Sequence, residues 1–181
     1  MPQHTLSDDL MALLPSHLAE RTRPLGQRAG PVGGEFVLYW MHHAVRGHEN
    51  PALDVALSLA NHSSLPVLVY QGLGGSHRYN NDRHYTFILQ GARDVQRELQ
   101  ARGIRYLFHL DPDNHGPSPL HAVAKRAAAV VVEDYPAVPF PAWSQALARR
   151  TAAPTVAVDC SCIVPMRLQT GRYDRAYAFR R

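Results

Sequence analysis

The chain has 181 residues, 45% of them hydrophobic, with a formal charge of +4 and a pI near 9.3. That length suits about one domain with a proper core, and the apolar content is that of an ordinary globular protein. No stretch approaches the roughly 18 apolar residues of a membrane span, and the apolar run Leu10–Leu14 is too short for a secretory signal, so a soluble, cytoplasmic protein without membrane contact is expected.

The basic residues gather near the ends: Arg21, Arg23 and Arg28 early, then Arg167, Arg172, Arg175, Arg180 and Arg181. Such a balance permits contact with phosphates without demanding it, and a solvated Arg-rich surface is the plainer reading. The two cysteines, Cys160 and Cys162, stand at i and i+2 on a strand end. An extended backbone there would strain a disulfide, and one C-x-C lacks the second pair of a structural zinc site, so two inert thiols are expected.

In chain order, residues 1–34 read as a short helix from Leu6 to Leu14 followed by a flexible Gly/Pro/Arg arm. From Phe36 onward, apolar strands alternate with helical patterns. The strands are Phe36–Met41, Pro66–Tyr70, Ile104–His109, Ala129–Val132 and Thr155–Val158, each nearly continuous in hydrophobicity, as strands buried on both faces are. Asn50 caps the first helix with Pro51 in its first turn. Tyr85, Ile88, Leu89, Ala92, Val95 and Leu99 predict one apolar stripe on the second, and Gly103 ends it. A third helix runs from Ser118-Pro119 to Ala127, and a fourth from Pro141 to Arg150 turns Trp143 and Leu147 inward. Residues 111–119, with three prolines, read as a surface loop. The alternation predicts an α/β fold: a five-stranded parallel sheet covered on both faces.

In open α/β sheets ligands bind beyond the carboxyl ends of the strands, near the switch in strand order. Three polar segments fall there: Met41–Asn50 after the first strand, "QGLGGSHR" (Gln71–Arg78) after the second, and "EDYPAVP" (Glu133–Pro139) after the fourth. Strand-end logic selects Met41, His42, Arg46, Tyr70, Gly72, Glu133 and Tyr135 as candidate ligand contacts. There is no G-x-x-x-x-G-K-[ST], no G-x-G-x-x-G after the first strand and no G-x-S-x-G, which argues against a P-loop, an ordinary dinucleotide site or a hydrolase elbow. Gly72, Gly74 and Gly75 form a turn whose backbone could approach a phosphate. His42, His43, His48 and Glu49 lack the spacing of metal ligands, so no metal is expected.

The order of motifs resembles the class II cyclobutane pyrimidine dimer photolyases. "VLYWMHHAVRGHENPAL" (Val37–Leu53) is similar to that family's first strand and turn, which read V-x-Y-W-M, then Arg, then D-N-x-A-L; Tyr39, Trp40, Met41, Arg46, Asn50, Ala52 and Leu53 match. "RHYTFILQGARDVQRELQARGI" (Arg83–Ile104) resembles its second helix, and "VDCSCIVPMRLQTGRYDRAYAFR" (Val158–Arg180) resembles its V-D-x-x-x-V-V-P segment and exit. The resemblance spans about Arg21 to Arg181. It implies a Rossmann-like three-layer domain at residues 35–165, strand order 3-2-1-4-5, holding a deazaflavin-type antenna chromophore. It further implies that residues 166–181 lead toward a helical domain, in the same or a separate chain, that carries FAD and repairs the damaged DNA. No catalytic residue is expected in these 181 residues, and DNA is contacted only through that domain. Two other readings stay open: a small nucleotide-binding α/β protein, and a ligand-free interaction module docking through its apolar exit segment.

Overall fold

In a computed structural model, the described residues are 10–26, 33–74, 81–111, 116–169, 171 and 174–179. Their elements run α1 (Ser16–Ala19), β1 (Thr22–Leu25), β2 (Phe36–Trp40), α2 (Pro51–Ser63), β3 (Val67–Gly74), α3 (Asp82–Ala101), β4 (Arg105–Asp111), α4 (Leu120–Ala124), β5 (Ala127–Glu133), α5 (Phe140–Arg150) and β6 (Thr155–Val158). A 3₁₀ turn (Met166–Leu168) and α6 (Ala176–Phe179) follow. The six strands form one sheet in the order β1-β6-β5-β2-β3-β4, with β2 and β5 in the middle.

Five strands run parallel, each paired in register with its neighbour, as Val37 with Val67 and Val130 with Thr155. Their side chains are buried on both faces because helices cover both. Val37, Tyr39, Val69 and Val131 pack against α2 and the C-terminal half of α3. Leu38, Tyr70, Val130 and Val132 pack against Leu120, Ala124 and Leu147 of α4 and α5. Each fully buried Val, Leu or Tyr of this kind contributes about 1.5–3 kcal/mol through lost apolar contact with water.

The expected five-stranded sheet is corrected to six strands, mostly parallel. The extra strand, β1, comes from the stretch read as a flexible arm; it lies antiparallel to β6, with Thr22 opposite Val158. Pro24 hid it, since a proline cannot donate to a ladder and is tolerated only where one side of a strand is free. Of the expected helix at Leu6–Leu14, residues 10–12 are helical and the part before Leu10 lies outside the described residues. The arm's residues 27–32 also lie outside them.

Helix α2 starts as its sequence demands. Asn50 Oδ1 accepts hydrogen bonds from the amides of Ala52 and Leu53, and Pro51 fills the first turn. Gly103 takes φ +71° just beyond α3, a left-handed backbone conformation that strains any residue with a Cβ. The apolar stripe of α3 is only half inward. Ala92, Val95 and Leu99 are buried, Tyr85 and Ile88 are half-buried, and Leu89 is exposed. The exposed member falls in the N-terminal half of the helix, where Tyr85 still reaches the end of β3 through a hydrogen bond to the Gly74 carbonyl.

Candidate functional site

The turn between β2 and α2 is held by one buried carboxylate. Glu133, at the end of β5, accepts hydrogen bonds from the Tyr39 hydroxyl (2.6 Å) and from the amides of His42 (3.3 Å), His43 (2.6 Å) and Ala44 (2.9 Å). Asn50 closes the other side. Its Nδ2 donates to the Ala44 and Arg46 carbonyls and to the Tyr39 hydroxyl, each at 3.0 Å, while its Oδ1 caps α2. Burial, then the nearby Glu133, push the Tyr39 phenol well above its usual range, so it stays a donor. Arg46 donates to the Glu49 and Cys160 carbonyls, and Glu98 of α3 accepts from the Gly47 amide. The turn is therefore bolted from β5, α2, α3 and the end of β6. Apart from the His42 ring, its polar groups face one another.

An aromatic cluster lies against this turn. The His43 ring stacks on Tyr135 at 3.8 Å, and His42 sits between Trp40 (5.0 Å) and Phe140 (5.1 Å). Phe140 in turn meets Trp143 edge-on at 5.5 Å. The His42 ring is nearly enclosed, with Nδ1 3.5 Å from Glu133 Oε2 and neither nitrogen hydrogen-bonded among the described residues. Desolvation holds its pKa below the ordinary value, against the pull of Glu133, so the imidazole is neutral over a wider pH range.

Beside the cluster, over the carboxyl ends of β2, β3 and β4, opens a cavity of about 440 Å³. That size lies within the roughly 300–1,000 Å³ of small-molecule sites. Trp40, Tyr70, Trp143 and Leu147 make its apolar wall; His109, Asp111, Ser118, His121 and Arg150 supply polar groups. Gly72 forms part of the floor, where a Cβ would come within 3.3 Å of the Tyr70 hydroxyl. That hydroxyl hydrogen-bonds Ser118 Oγ at 3.1 Å. His121 Nε2 lies 3.3 Å from an Arg150 nitrogen, and its buried Nδ1 has no partner among the described residues. Burial, then the Arg150 and Lys125 charges, lower the His121 pKa.

The structure divides the seven candidates. Tyr70 and Gly72 line the cavity. His42 stands one ring back from it, against Trp40, and Tyr135 two rings back, behind Phe140 and Trp143. Met41 is fully buried in the core on the opposite face of the sheet, Glu133 is buried under the turn, and Arg46 braces the turn from outside. Sequence reasoning missed His109, Asp111, Ser118, His121, Trp143 and Arg150. Trp143, turned inward by expectation, is instead 49% exposed and faces the cavity. The signal was present: Trp143, Ala146, Leu147 and Arg150 recur at i, i+3, i+4 and i+7 on one face of α5.

The glycine turn is corrected too. Gly72 and Gly74 belong to β3, which continues to Gly74, while Gly75 and residues 76–78 lie outside the described residues. Both cysteines are free; burial pushes the Cys160 thiol up to about 12, which makes it a poor nucleophile. No helix among the described residues is long and apolar enough to cross a membrane.

Comparison with known proteins gives a consistent answer. The family model described as DNA photolyase matches residues 37–180. A deoxyribodipyrimidine photo-lyase of Methanothermobacter thermautotrophicus is 35% identical over 148 residues, covering 82% of this chain and 33% of the relative. One from Arabidopsis thaliana is 28% identical over 146 residues, covering 80% and 28%. The chain thus spans about a third of the length of these curated relatives. Among solved structures, a universal stress protein from Pseudomonas aeruginosa shares the fold, at 14% identity and a TM-score of 0.50, covering 88% of this chain and 60% of that one.

Proposed function

The chain belongs to the DNA photolyase family as its N-terminal α/β domain, and from that premise we propose that it is of the class II kind and holds a deazaflavin-type antenna chromophore. The observation that carries this is the cavity itself: two tryptophans and a tyrosine around a space of about 440 Å³, with a guanidinium on its wall. A bound deazaflavin supplies light absorption and passes the excitation on. The protein's task is then to orient a planar ring and keep water from it. Trp40, Trp143 and Tyr70 offer aromatic surface for a ring to lie against. Gly72 lets that ring approach the backbone, and Arg150 offers charge to an anionic substituent. His121 adds an imidazole to the same wall, beside Arg150.

Titrating the purified protein with a deazaflavin, followed by absorbance and tryptophan fluorescence, tests the reading. Saturable binding that quenches tryptophan emission and is weakened by Trp143→Ala is the expected result. No binding overturns it. Binding of ATP or AMP in its place would support the small nucleotide-binding alternative.

The light-driven chemistry would reside in an FAD-binding helical domain, in the same or a separate chain, and DNA would be met through that domain. Supporting this is the uncovered apolar exit segment, where Ile163 is 97% exposed and Val164, Leu168 and Tyr177 are exposed as well. The residues Arg172, Tyr173, Arg180 and Arg181, and the Phe179 side chain, lie outside the described residues. Capture of a flavin-containing helical protein or domain, lost on Ile163→Asp, is the expected outcome. A supplied helical domain that fails to bind would remove this part of the proposal.

A further inference from the structure

The sheet has two edges, and they are built differently. At one, β1 has four residues, contains Pro24, and pairs the Arg23 guanidinium with Asp134 at 2.6 and 2.7 Å. A short strand with a proline and a charge is how a protein keeps another strand from adding on. At the other edge, β4 has seven residues, Arg105–Asp111, with no proline and with its charges, Arg105 and Asp111, only at its two ends. Among the described residues its sole sheet partner is β3. Leu107 and Leu110 are 39% and 47% exposed, and exposed Leu89 of α3 lies near Tyr106 and Phe108. An open edge strand with apolar side chains is a template for pairing.

We propose that this edge is a self-pairing surface: two copies of the chain join antiparallel through β4 about a twofold axis at Phe108. The strand sequence is nearly its own complement in that register. Read as RYLFHLD, it sets Arg105 opposite the partner's Asp111, Tyr106 opposite the partner's Leu110, Leu107 opposite the partner's His109, and Phe108 opposite the partner's Phe108. Both ends carry opposite charges and the centre is an aromatic pair, which are favourable cross-strand combinations; Tyr106 meets an apolar Leu110, and only the Leu107–His109 pair sets an apolar residue against a polar one. Sliding the register by two residues toward the N-terminus sets Arg105 against the partner's His109 and Asp111 against the partner's Gly103, losing both ion pairs. Charge complementarity therefore selects the partner, a second copy, and the register.

A twofold contact of this type closes on itself, so it yields a dimer with one continuous sheet and not a fibre. It also has a consequence for the crevice. His109 and Asp111 line the cavity, so the partner's Arg105 would arrive at its rim.

Sedimentation of the 181-residue protein across a wide concentration range should show a species of about 40 kDa, twice the 20.2 kDa chain. Leu110→Lys should weaken association roughly tenfold or more. Arg105→Asp and Asp111→Arg should each weaken it, and the two together should restore it. In a Phe108→Cys variant, paired cysteines would lie about 4.5–5.5 Å apart between Cα atoms, within disulfide range, and oxidation should give a covalent dimer. Far-UV circular dichroism verifies that each variant is folded. A monomer at every concentration overturns the proposal. So does a dimer whose strength none of these changes alters and which Phe108→Cys does not cross-link.

Discussion

The turn after β2 and the crevice beside it occupy the same end of the same sheet, yet they are finished in opposite ways. In the turn, a buried carboxylate and a buried amide consume each other's hydrogen-bonding capacity and that of the surrounding backbone. In the crevice, aromatic faces, a guanidinium and an imidazole surround open space. The switch in strand order falls between β2 and β5, where a doubly wound sheet ordinarily receives its ligand. Here the turn and its aromatic cluster fill that point, and the open space is displaced over β3 and β4. Polarity at a strand end is thus an ambiguous signal. It marks a ligand site only where open space lies beside it.

The contrast can be broken most forcefully at Glu133. Glu133→Ala strips the acceptor from one phenol and three backbone amides, with little room for water to replace it. A loss of roughly 3–5 kcal/mol is expected in urea unfolding, with no direct effect on ligand affinity once the protein is folded. An unchanged midpoint would show that the turn holds without its carboxylate. Next comes Asn50→Ala, which removes a helix cap together with two bonds to loop carbonyls. About 2 kcal/mol should be lost, and Asn50→Asp should recover the cap but not the donated bonds.

The crevice should behave the other way. Trp143 is half exposed, so Trp143→Ala should leave thermal stability within about 1 kcal/mol of the parent. It should weaken ring binding about tenfold, equal to about 1.4 kcal/mol. A large stability loss with unchanged affinity would reverse the assignment of the two regions.

The smallest effect is one of slope. His42 has a depressed pKa in the fold, so the unfolded chain binds its proton first as pH falls below the ordinary value of 6.5. Its contribution to stability is full above that value and is lost as pH falls through the folded pKa. His42→Phe should therefore flatten the decline of melting temperature below pH 6.5, leaving the part due to His121, whose pKa is lowered as well. An unchanged slope would mean that burial of His42 has no linkage to folding.

Much of this was legible in the sequence. The buried parallel strands announce themselves as unbroken apolar runs, and Asn50-Pro51 marks the start of α2 because capping is a local matter. Strand β1 did not announce itself, since Thr22-Arg23-Pro24-Leu25 has one buried apolar residue and a proline; only the neighbouring β6 makes it a strand. Trp143 looked like core because it shares a helical face with Leu147, and periodicity cannot say where along that face the packing ends. The same ignorance left Leu89 assigned inward.

Local chemistry, then, determined the elements, their parallel arrangement and the family resemblance, because hydrophobic period, caps and short motifs act over a few residues. The tertiary structure decided which polar groups were spent and which were left over. Glu133 and His43 are ninety residues apart, as are the Glu133 carboxylate and the Tyr39 hydroxyl to within a few positions. Whether a carboxylate is a ligand contact or a structural bolt depends on what the fold brings within hydrogen-bond distance of it. That is a property of the closed chain, and no short stretch of sequence contains it.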